Sequence, residues 1–350
     1  MESTNENPDS IRFYNDLFQT FVVVNSINDL RSSAYFCQSF EYTVMKKTLI
    51  GLILLLAAAL ISVYLLIPGR LKIDATISLP VALPGVTRTL IDENNWKKWW
   101  PDETPFNYNN QTYSIKPKIS SVFDIDIYSG KDTVNSRLEL VPIENDMMKI
   151  SWHAEQMTSN NPFIRFSQYR HARATEKNMN EILQSMKIFL EKTKNIYGVE
   201  IKKTLVTDSV LISVRRSFEH NPNVQEIDAM IQDLRKYIIQ NNAIEKNSPM
   251  LNVVKFGSSH FEAMSAIPVD KALPRTNEFA PKFLLKGGNI LEAEIQGGPF
   301  TIESTLQEIE NYRSDYKYNS PAIPYQLLVT DRLKETDTTK WITKLYYPIF

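Results

Sequence analysis

Residues 289–300 read NILEAEIQGGPF, and this stretch joins a strand pattern to the start of a helix. Apolar and polar side chains alternate over residues 291–296, and residues 289–296 are predicted to form a half-buried strand. Gly297-Gly298-Pro299 then turns the chain, because glycine allows a tight bend and proline suits a first helical turn. The apolar stripe of the helix that follows is Ile302, Leu306, Ile309 and Tyr312.

Two further strands complete a β-α-β-β unit. Asn319-Ser320-Pro321 ends the helical segment, and a strand is predicted at residues 323–330. A polar loop at residues 331–339 then leads to a last strand at residues 341–347.

The same order of elements occurs earlier in the chain, so this half contains an internal repeat. Strand 208–216 precedes a helix, and Asn247-Ser248-Pro249 precedes two strands at 250–256 and 261–269. We predict that this helix opens with Asn221 as its N-cap and Pro222 as its first residue. Residues 198–350 are therefore predicted to form a duplicated domain, and ligand clefts commonly form at such internal interfaces.

The duplicated half resembles the GyrI-like, AraC-type effector-binding domain. The matching segments are Val199-Glu200-Ile201, Ala266-Ile267-Pro268-Val269, Gly287-Gly288, Gly297-Gly298-Pro299-Phe300, Ala322-Ile323-Pro324-Tyr325 and Tyr346-Tyr347-Pro348-Ile349. The resemblance implies an aromatic cleft for small molecules that are often hydrophobic or cationic. It also implies a glutamate where this chain has Gln326. A neutral amide can orient a ligand, but it cannot serve as a counter-ion or a general base.

The candidate ligand-binding residues of this half are mostly aromatic, and ordinary core packing is the alternative interpretation of those aromatic residues. They are Phe218, Phe300, Tyr325, Gln326, Trp341 and Tyr346. Glu335 and Asp337 are the best placed acids, although a polar hairpin loop is usually only solvated. Glu219-His220 is most simply the turn before the first helix.

Residues 71–197 show a different α+β pattern. A strand at 73–79 and a short helix at 85–92 come first, and a long amphipathic helix at 168–194 closes the segment. The strands predicted between them are 113–119, 121–128, 136–142 and 148–153. We expect an antiparallel sheet that wraps around the long helix.

This segment resembles the START-like, polyketide-cyclase-like (SRPBCC) helix-grip superfamily. The resemblance rests on a strand ending in Pro80 and on the cluster Asn95-Trp96 and Trp99-Trp100-Pro101. It implies a deep apolar cavity for hydrophobic ligands, and a minority of members are enzymes. The candidate ligand-binding residues are Trp96, Trp100, Trp152 and His153. Core packing of the tryptophans and a structural histidine are the alternatives.

Residues 48–67 read TLIGLILLLAAALISVYLLI and carry no charge. Twenty residues at 1.5 Å each match a hydrocarbon core of roughly 30 Å, so the sequence predicts a transmembrane anchor, with a cleaved signal peptide as the alternative. Met45-Lys46-Lys47 resembles a natural start, and residues 1–44 are then a disordered tail or an extension of the gene model. We expect the soluble domains outside the cytoplasm.

Composition excludes several classes of function. The net charge is -1 and the charges form no basic stripe, so no nucleic-acid partner is expected. One cysteine, Cys37, and four scattered histidines predict neither a disulfide framework nor a metal site, and no cofactor is expected.

These observations predict a membrane-anchored binding protein, a sensor or carrier for a small hydrophobic or amphipathic ligand, with no catalytic residue assigned. The first alternative is a hydrolase or cyclase-type enzyme that uses His153 or the acids near the repeat cleft. A structural protein of the cell envelope, without a ligand, is the second.

Overall fold

The computed structural model describes residues 45–119, 121–130, 132–144, 146–257, 259–320 and 322–350. These residues form an α+β fold with two antiparallel sheets and seven α-helices, so the predicted fold class is confirmed. The prediction for residues 1–44 lies outside the described residues. The described chain divides into two compact units. One contains the residues up to Leu71 together with Met157–His171, and the other contains Lys72–Gln156 and Ala172–Phe350.

Helix α1, Met45–Leu66, is 22 residues long, and its most apolar stretch of 18 residues has a mean hydropathy of 2.8. At 1.5 Å per residue it is about 33 Å long, so by length and composition it can cross a membrane. Arg165 caps its C-terminal end within the same unit. The Arg165 Nε donates to the Ile67 carbonyl oxygen at 3.0 Å, and the guanidinium lies 5.1 Å from the Tyr64 ring centroid. A cation at this position offsets the partial negative charge of a helix C-terminus.

The first lobe of the larger unit, residues 72–156 and 172–197, is built on a six-stranded sheet of order β1-β6-β5-β4-β3-β2. Side chains of β1 alternate strictly between exposed and buried, as a one-sided sheet requires. The strands are β1 Arg70–Leu79, β2 Asn107–Tyr108, β3 Gln111–Ile119, β4 Val122–Ser129, β5 Asp132–Pro142 and β6 Met148–Met157. The helices are α2 Leu83–Ile91, α3 Glu93–Trp96, α5 Thr193–Tyr197 and the part of α4, Pro162–Leu190, that follows His171.

The predicted closing helix is two helices. The long helix α4 starts six residues earlier than the sequence pattern indicated, and it stops at Leu190. The chain then turns at Glu191 and Lys192 before α5, which ends at Gly198 in the left-handed conformation with φ 73°. Glycine is suited to such a C-terminal position because it has no Cβ to clash.

The second lobe, residues 198–350, contains an eight-stranded sheet of order β11-β8-β10-β9-β13-β14-β12-β7. Its strands are β7 Lys202–Leu205, β8 Val210–Phe218, β9 Met250–Phe256, β10 His260–Pro268, β11 Phe279–Phe283, β12 Asn289–Gln296, β13 Tyr325–Leu328 and β14 Ile342–Pro348. Helix α6 is Val224–Gln240 and helix α7 is Pro299–Asp315. The predicted duplication is present as β8-α6-β9-β10 and β12-α7-β13-β14. The two copies join at β9 and β13, where Leu251 pairs with Gln326.

The predicted start of α6 is wrong by two residues. Asn223, not Asn221, is the N-cap: its side chain accepts from the Glu226 amide at 2.9 Å. The Glu226 carboxylate in turn accepts from the Asn223 amide at 2.8 Å. This reciprocal pair of hydrogen bonds satisfies two backbone amides that have no partner within the helix. The sequence at Asn221, with proline as the next residue, does not provide such a pair. The Asn223 amide and, next, His220 hold the pKa of Glu226 below its usual value.

The two lobes of the larger unit meet through α2, α5 and α7. Arg88 on α2 donates to both carboxylate oxygens of Asp315 on α7, at 3.0 and 2.6 Å. The Tyr197 hydroxyl, on α5, donates to the same carboxylate at 2.8 Å. A Cβ at Gly85 would lie 2.7 Å from the Tyr197 hydroxyl, so glycine is what permits this close approach. We call Arg88, Tyr197 and Asp315 the inter-lobe clamp.

Candidate ligand-binding cleft

A cleft of about 1070 Å³ opens in the second lobe at the junction of the two copies. Strands β9 and β13 line it, and so do residues near the N-terminal ends of α6 and α7. Leu251, Val253 and Lys255 of β9 contribute to its lining, as do Gln326 and Leu328 of β13. These are alternate positions, as expected when one face of each strand borders a cavity.

Much of the cleft wall is apolar. Its apolar side chains include Ile227, Ile231, Leu251, Val253, Phe261, Ile302, Leu306, Leu328, Leu333 and Trp341. Several of them, including Ile227 and Leu328, also belong to the buried core of the first copy. The wall is therefore an extension of the packed interior, and it can desolvate an apolar ligand.

Arg332 supplies a positive charge in this cleft. Its Nη2 donates to the Thr343 hydroxyl at 2.9 Å and to the Gln326 side-chain oxygen at 3.3 Å. The guanidinium carbon lies 4.7 Å from the Trp341 ring centroid, which is a cation–π contact. Burial lowers the pKa of Arg332 to about 10, so the group stays protonated at neutral pH.

Trp341 is held firmly behind this guanidinium. Only 5% of its surface is exposed, and its indole Nε1 donates to the Glu335 carbonyl oxygen at 2.8 Å. The loop that carries Arg332 is thereby tied to the start of β14. Gln326 and Trp341 are the two predicted binding residues that line the cleft.

Tyr325 and Tyr346, two other predicted binding residues, lie on the opposite face of the sheet. They pair across β13 and β14 and their rings stack at 5.2 Å. They pack against the buried cluster of Leu211, Met250, Ala266 and Leu327, and burial raises the pKa of both phenols. The reason is strand alternation, since Tyr325 and Gln326 are neighbours and must face opposite ways.

Phe218 and Phe300 do not line the cleft either. Phe218 packs against the core of the first copy, with its ring 6.2 Å from that of His220. Phe300 is in the first turn of α7 and is 84% exposed.

The predicted tryptophans of the first lobe form a buried aromatic cluster. Trp96, Trp100 and Trp152 are 1%, 7% and 1% exposed. Trp96 and Trp99 lie 5.1 Å apart between ring centroids, and Trp100 and Tyr113 lie 5.3 Å apart. Their positions are those expected from the core-packing interpretation.

A polar network lies beside this cluster, between the sheet and α4. Gln111 donates to the Thr175 hydroxyl at 2.7 Å and accepts from Tyr113 and Asn178, each at 2.8 Å. These buried polar groups are satisfied by one another, so they orient the helix against the sheet.

His153 faces outward, because its strand neighbour Trp152 faces the interior. Its Nδ1 lies 2.8 Å from an Asp74 carboxylate oxygen, and both side chains are about half exposed. This pair has the separation of a catalytic dyad, but it lies on an open sheet surface. Such exposed pairs contribute little to the free energy of unfolding, typically below about 1 kcal/mol.

Glu335 and Asp337 shape the loop before β14. The Glu335 carboxylate accepts from the Asp337 amide at 3.0 Å, and Asp337 accepts from the Thr339 amide at 3.0 Å. The Thr339 hydroxyl and amide, and nearby Lys340, hold the pKa of Asp337 below its usual value. Both acids therefore serve local turn geometry.

The residue that sequence reasoning missed is Arg332. It lies in the stretch RLKETDTTKW, residues 332–341, where the sequence prediction named Glu335, Asp337 and Trp341. The available signal was its position in the connection between two predicted strands of a repeat, with Trp341 at the end of the loop. The burial of Arg332 depends on contacts that strand and helix patterns do not encode.

No protein-family model matches the chain, and no curated protein matches it.

Distant likenesses occur among solved structures. The EcmrR C-terminal domain is 8% identical, with 43% of this chain and 98% of that chain covered and a TM-score of 0.37. SAV2435 bound to tetraphenylphosphonium is 13% identical, with 43% and 94% covered and a TM-score of 0.29. A hydrolase encoded by lin2189 from Listeria innocua is 11% identical, with 43% and 91% covered and a TM-score of 0.33. At these TM-scores the likenesses carry no argument about ligand or activity, and the chain's own cleft provides the evidence on function.

Proposed function

We propose that this protein is a membrane-anchored small-molecule-binding protein, a sensor or carrier, for a hydrophobic or amphipathic ligand. The observation that supports the proposal is the cleft of about 1070 Å³ between the two copies. Its size suits a small organic molecule, and it combines apolar walls with a few convergent polar groups, as ligand sites do.

Binding receives better support than catalysis from the groups around this cleft. Among the described residues that line it there is no histidine and no cysteine. Glu245 is held by Arg235 through two contacts of 3.1 Å, and Asp331 accepts from the Leu333 amide and pairs with Lys334. A general base must be free to accept a proton from a substrate, and these two carboxylates are engaged elsewhere. The other two acids of the cleft, Asp228 and Glu303, have no histidine beside them among the described lining residues to complete a dyad.

The second lobe is the better candidate for the ligand site than the first. The tryptophans of the first lobe are buried in its interior, whereas the second lobe has an open cleft bordered by half-buried side chains such as Val253. In this proposal the first lobe is a rigid support, attached to the second lobe through the inter-lobe clamp.

The role of α1 in the proposal is to hold the cleft near a bilayer. Amphipathic molecules partition into membranes, so tethering raises their effective concentration at the site. We place both lobes outside the cytoplasm, with Lys46 and Lys47 on the inner side.

Native mass spectrometry of the full chain tests the proposal. The protein is purified gently from its own host in an uncharged detergent and released from the micelle in the spectrometer. We expect one discrete small molecule to remain bound. A variant with a blocked cleft, Val253→Phe, should lose it, because Val253 lines the cleft.

The matched control is Val254→Phe, the same substitution one residue along β9. Val254 is similarly half-buried, but alternation places it on the other face of the strand. Retention of the molecule by both variants would contradict the assignment of the cleft. A protein that carries no small molecule from its host, and binds none from a lipid extract of that host, would contradict the function.

A further inference from the structure

We propose that the cleft selects an anionic amphipathic ligand, whose carboxylate, phosphate or sulfonate pairs with Arg332 while its apolar body lies against Leu251, Val253 and Ile231. The inference rests on the proposed function, since it names the ligand class for the same cleft. It follows from the bonding state of one guanidinium and from the groups around it.

Among the described residues, Arg332 is a half-buried cation without a carboxylate partner, and its Nε atom is buried. Among the described residues no Asp or Glu oxygen lies within 4.0 Å of its guanidinium, and its buried Nε has no hydrogen-bond partner. Its hydrogen bonds are both made by Nη2, and both acceptors are neutral. A desolvated charge without a counter-ion is costly, and so is a buried donor without an acceptor, so an anion bound at this guanidinium would offset both costs.

Two acids of the cleft, Asp331 and Glu245, are engaged by groups other than Arg332. The carboxylate of Asp331, its neighbour in the chain, accepts from the Leu333 amide at 3.2 Å and lies 3.0 Å from the Lys334 ammonium. Glu245 is bound by Arg235. The loop geometry therefore separates Arg332 from the counter-ions that its sequence neighbourhood offers.

The contacts that Arg332 does make hold it in place for recognition. Trp341 lies against the guanidinium, and Gln326 and Thr343 accept from Nη2. A guanidinium is a planar fork of five N–H donors that matches the oxygens of a carboxylate or phosphate. Because its orientation is already set, little side-chain entropy would be lost on binding.

Two other acids of the cleft, Glu303 and Asp228, would repel an anionic ligand, but their positions weaken this repulsion. Glu303 is exposed on α7, and Asp228 is half-buried on α6 and accepts from Gln232 at 3.3 Å. Lys246 and Lys255 also line the cleft and offset these two negative charges. Water screens charges at an exposed rim more strongly than it screens the charge of a partly desolvated group. Arg332 therefore decides the sign of the ligand charge that the cleft prefers.

Calorimetric titration of the full chain in an uncharged detergent tests the inference, with empty micelles as the blank. The probes share one ring system and differ in charge: 2-naphthoate, neutral 2-naphthamide and a cationic naphthylmethyl-trimethylammonium. We expect 2-naphthoate to bind at least about tenfold more tightly than the amide, and the cation to bind least tightly.

Arg332→Gln should remove the preference for the anion while the amide still binds. The matched control is Lys255→Gln, which removes one cation from the same cleft and should leave the preference in place. Circular dichroism establishes whether each variant is folded. The ranking on the unaltered chain tests the inference even if Arg332→Gln does not fold.

The outcomes separate the two proposals. Binding of the amide or the cation as tightly as the anion would overturn the anion inference and leave the cleft as a ligand site. An equal loss of preference in both variants would overturn the role of Arg332. Binding of none of the three probes would count against the proposed function itself, and the inference would fail with it.

Discussion

Replacement of Asp315 by alanine should loosen the attachment of the two lobes and lower the stability of the whole protein. The Asp315 side chain is 6% exposed, and its carboxylate accepts three hydrogen bonds, two from Arg88 and one from Tyr197. Breaking a fully buried ion pair costs about 3–5 kcal/mol, because it leaves an uncompensated charge. Arg88 is 51% exposed and regains water in the variant, so we expect a smaller loss, about 2–3 kcal/mol in the free energy of unfolding.

Thermal unfolding of the full chain in detergent measures this loss. For a chain of this size about 1 kcal/mol lowers Tm by roughly 2 °C, so Asp315→Ala should lower it by about 5 °C. Glu200→Ala is the control, since the Glu200–Lys202 pair is 3.3 Å apart with both side chains about two-thirds exposed. Such a pair contributes about 0.5 kcal/mol or less. Equal shifts for the two variants would refute the reasoning that the clamp is a stabilising contact between the lobes.

Three further predictions concern other parts of the molecule. Asn223→Ala should cost about 1 kcal/mol and speed amide hydrogen exchange in the first turn of α6, and unchanged exchange would argue against the observed cap. Arg313 holds the pKa of Glu310 below its ordinary value of 4.5. The ionised Glu310 therefore stabilises the folded state above pH 4.5, and this stabilisation is lost as pH falls through the lower, folded-state pKa. In Glu310→Gln the free energy of unfolding should therefore fall less steeply with pH below about pH 4.5. A slope as steep as that of the unaltered chain would contradict a stabilising Arg313–Glu310 pair. Ile53→Arg combined with Leu56→Arg should cost roughly 5–7 kcal/mol of membrane insertion and release the chain on carbonate extraction, whereas retention would contradict a spanning α1.

Much of the fold could be predicted from local pattern. Strands β9 and β12 have the predicted bounds, 250–256 and 289–296, and α7 begins at Pro299 as the Gly-Gly-Pro turn suggested. Side-chain period and turn chemistry act over a few residues, so a single sequence contains them. The start of α6 was predicted wrongly because two asparagines compete as caps, and only the contact with Glu226 selects Asn223.

The candidate site was less predictable. Strand alternation could have separated Tyr325 from Gln326 once one of them was known to face the cleft, but the sequence does not say which face is open. Neighbouring elements decide which face is open. Helices α6 and α7 border the cleft on one face of the sheet, and the buried cluster with Leu211 and Met250 lies on the other face.

The amino-acid sequence by itself determined the main elements of this protein, namely an apolar helix, an α+β segment and a duplicated β-α-β-β segment, but not the short strands β2, β7 and β11. Each of these depends on interactions between residues that are close in the chain. Only the tertiary structure decided that Trp152 is core, that His153 is surface, and that Arg332 is a cleft cation with no counter-ion among the residues that the structure describes. The physical reason is that burial and charge pairing depend on distances between segments far apart in the chain, and a local pattern does not contain those distances.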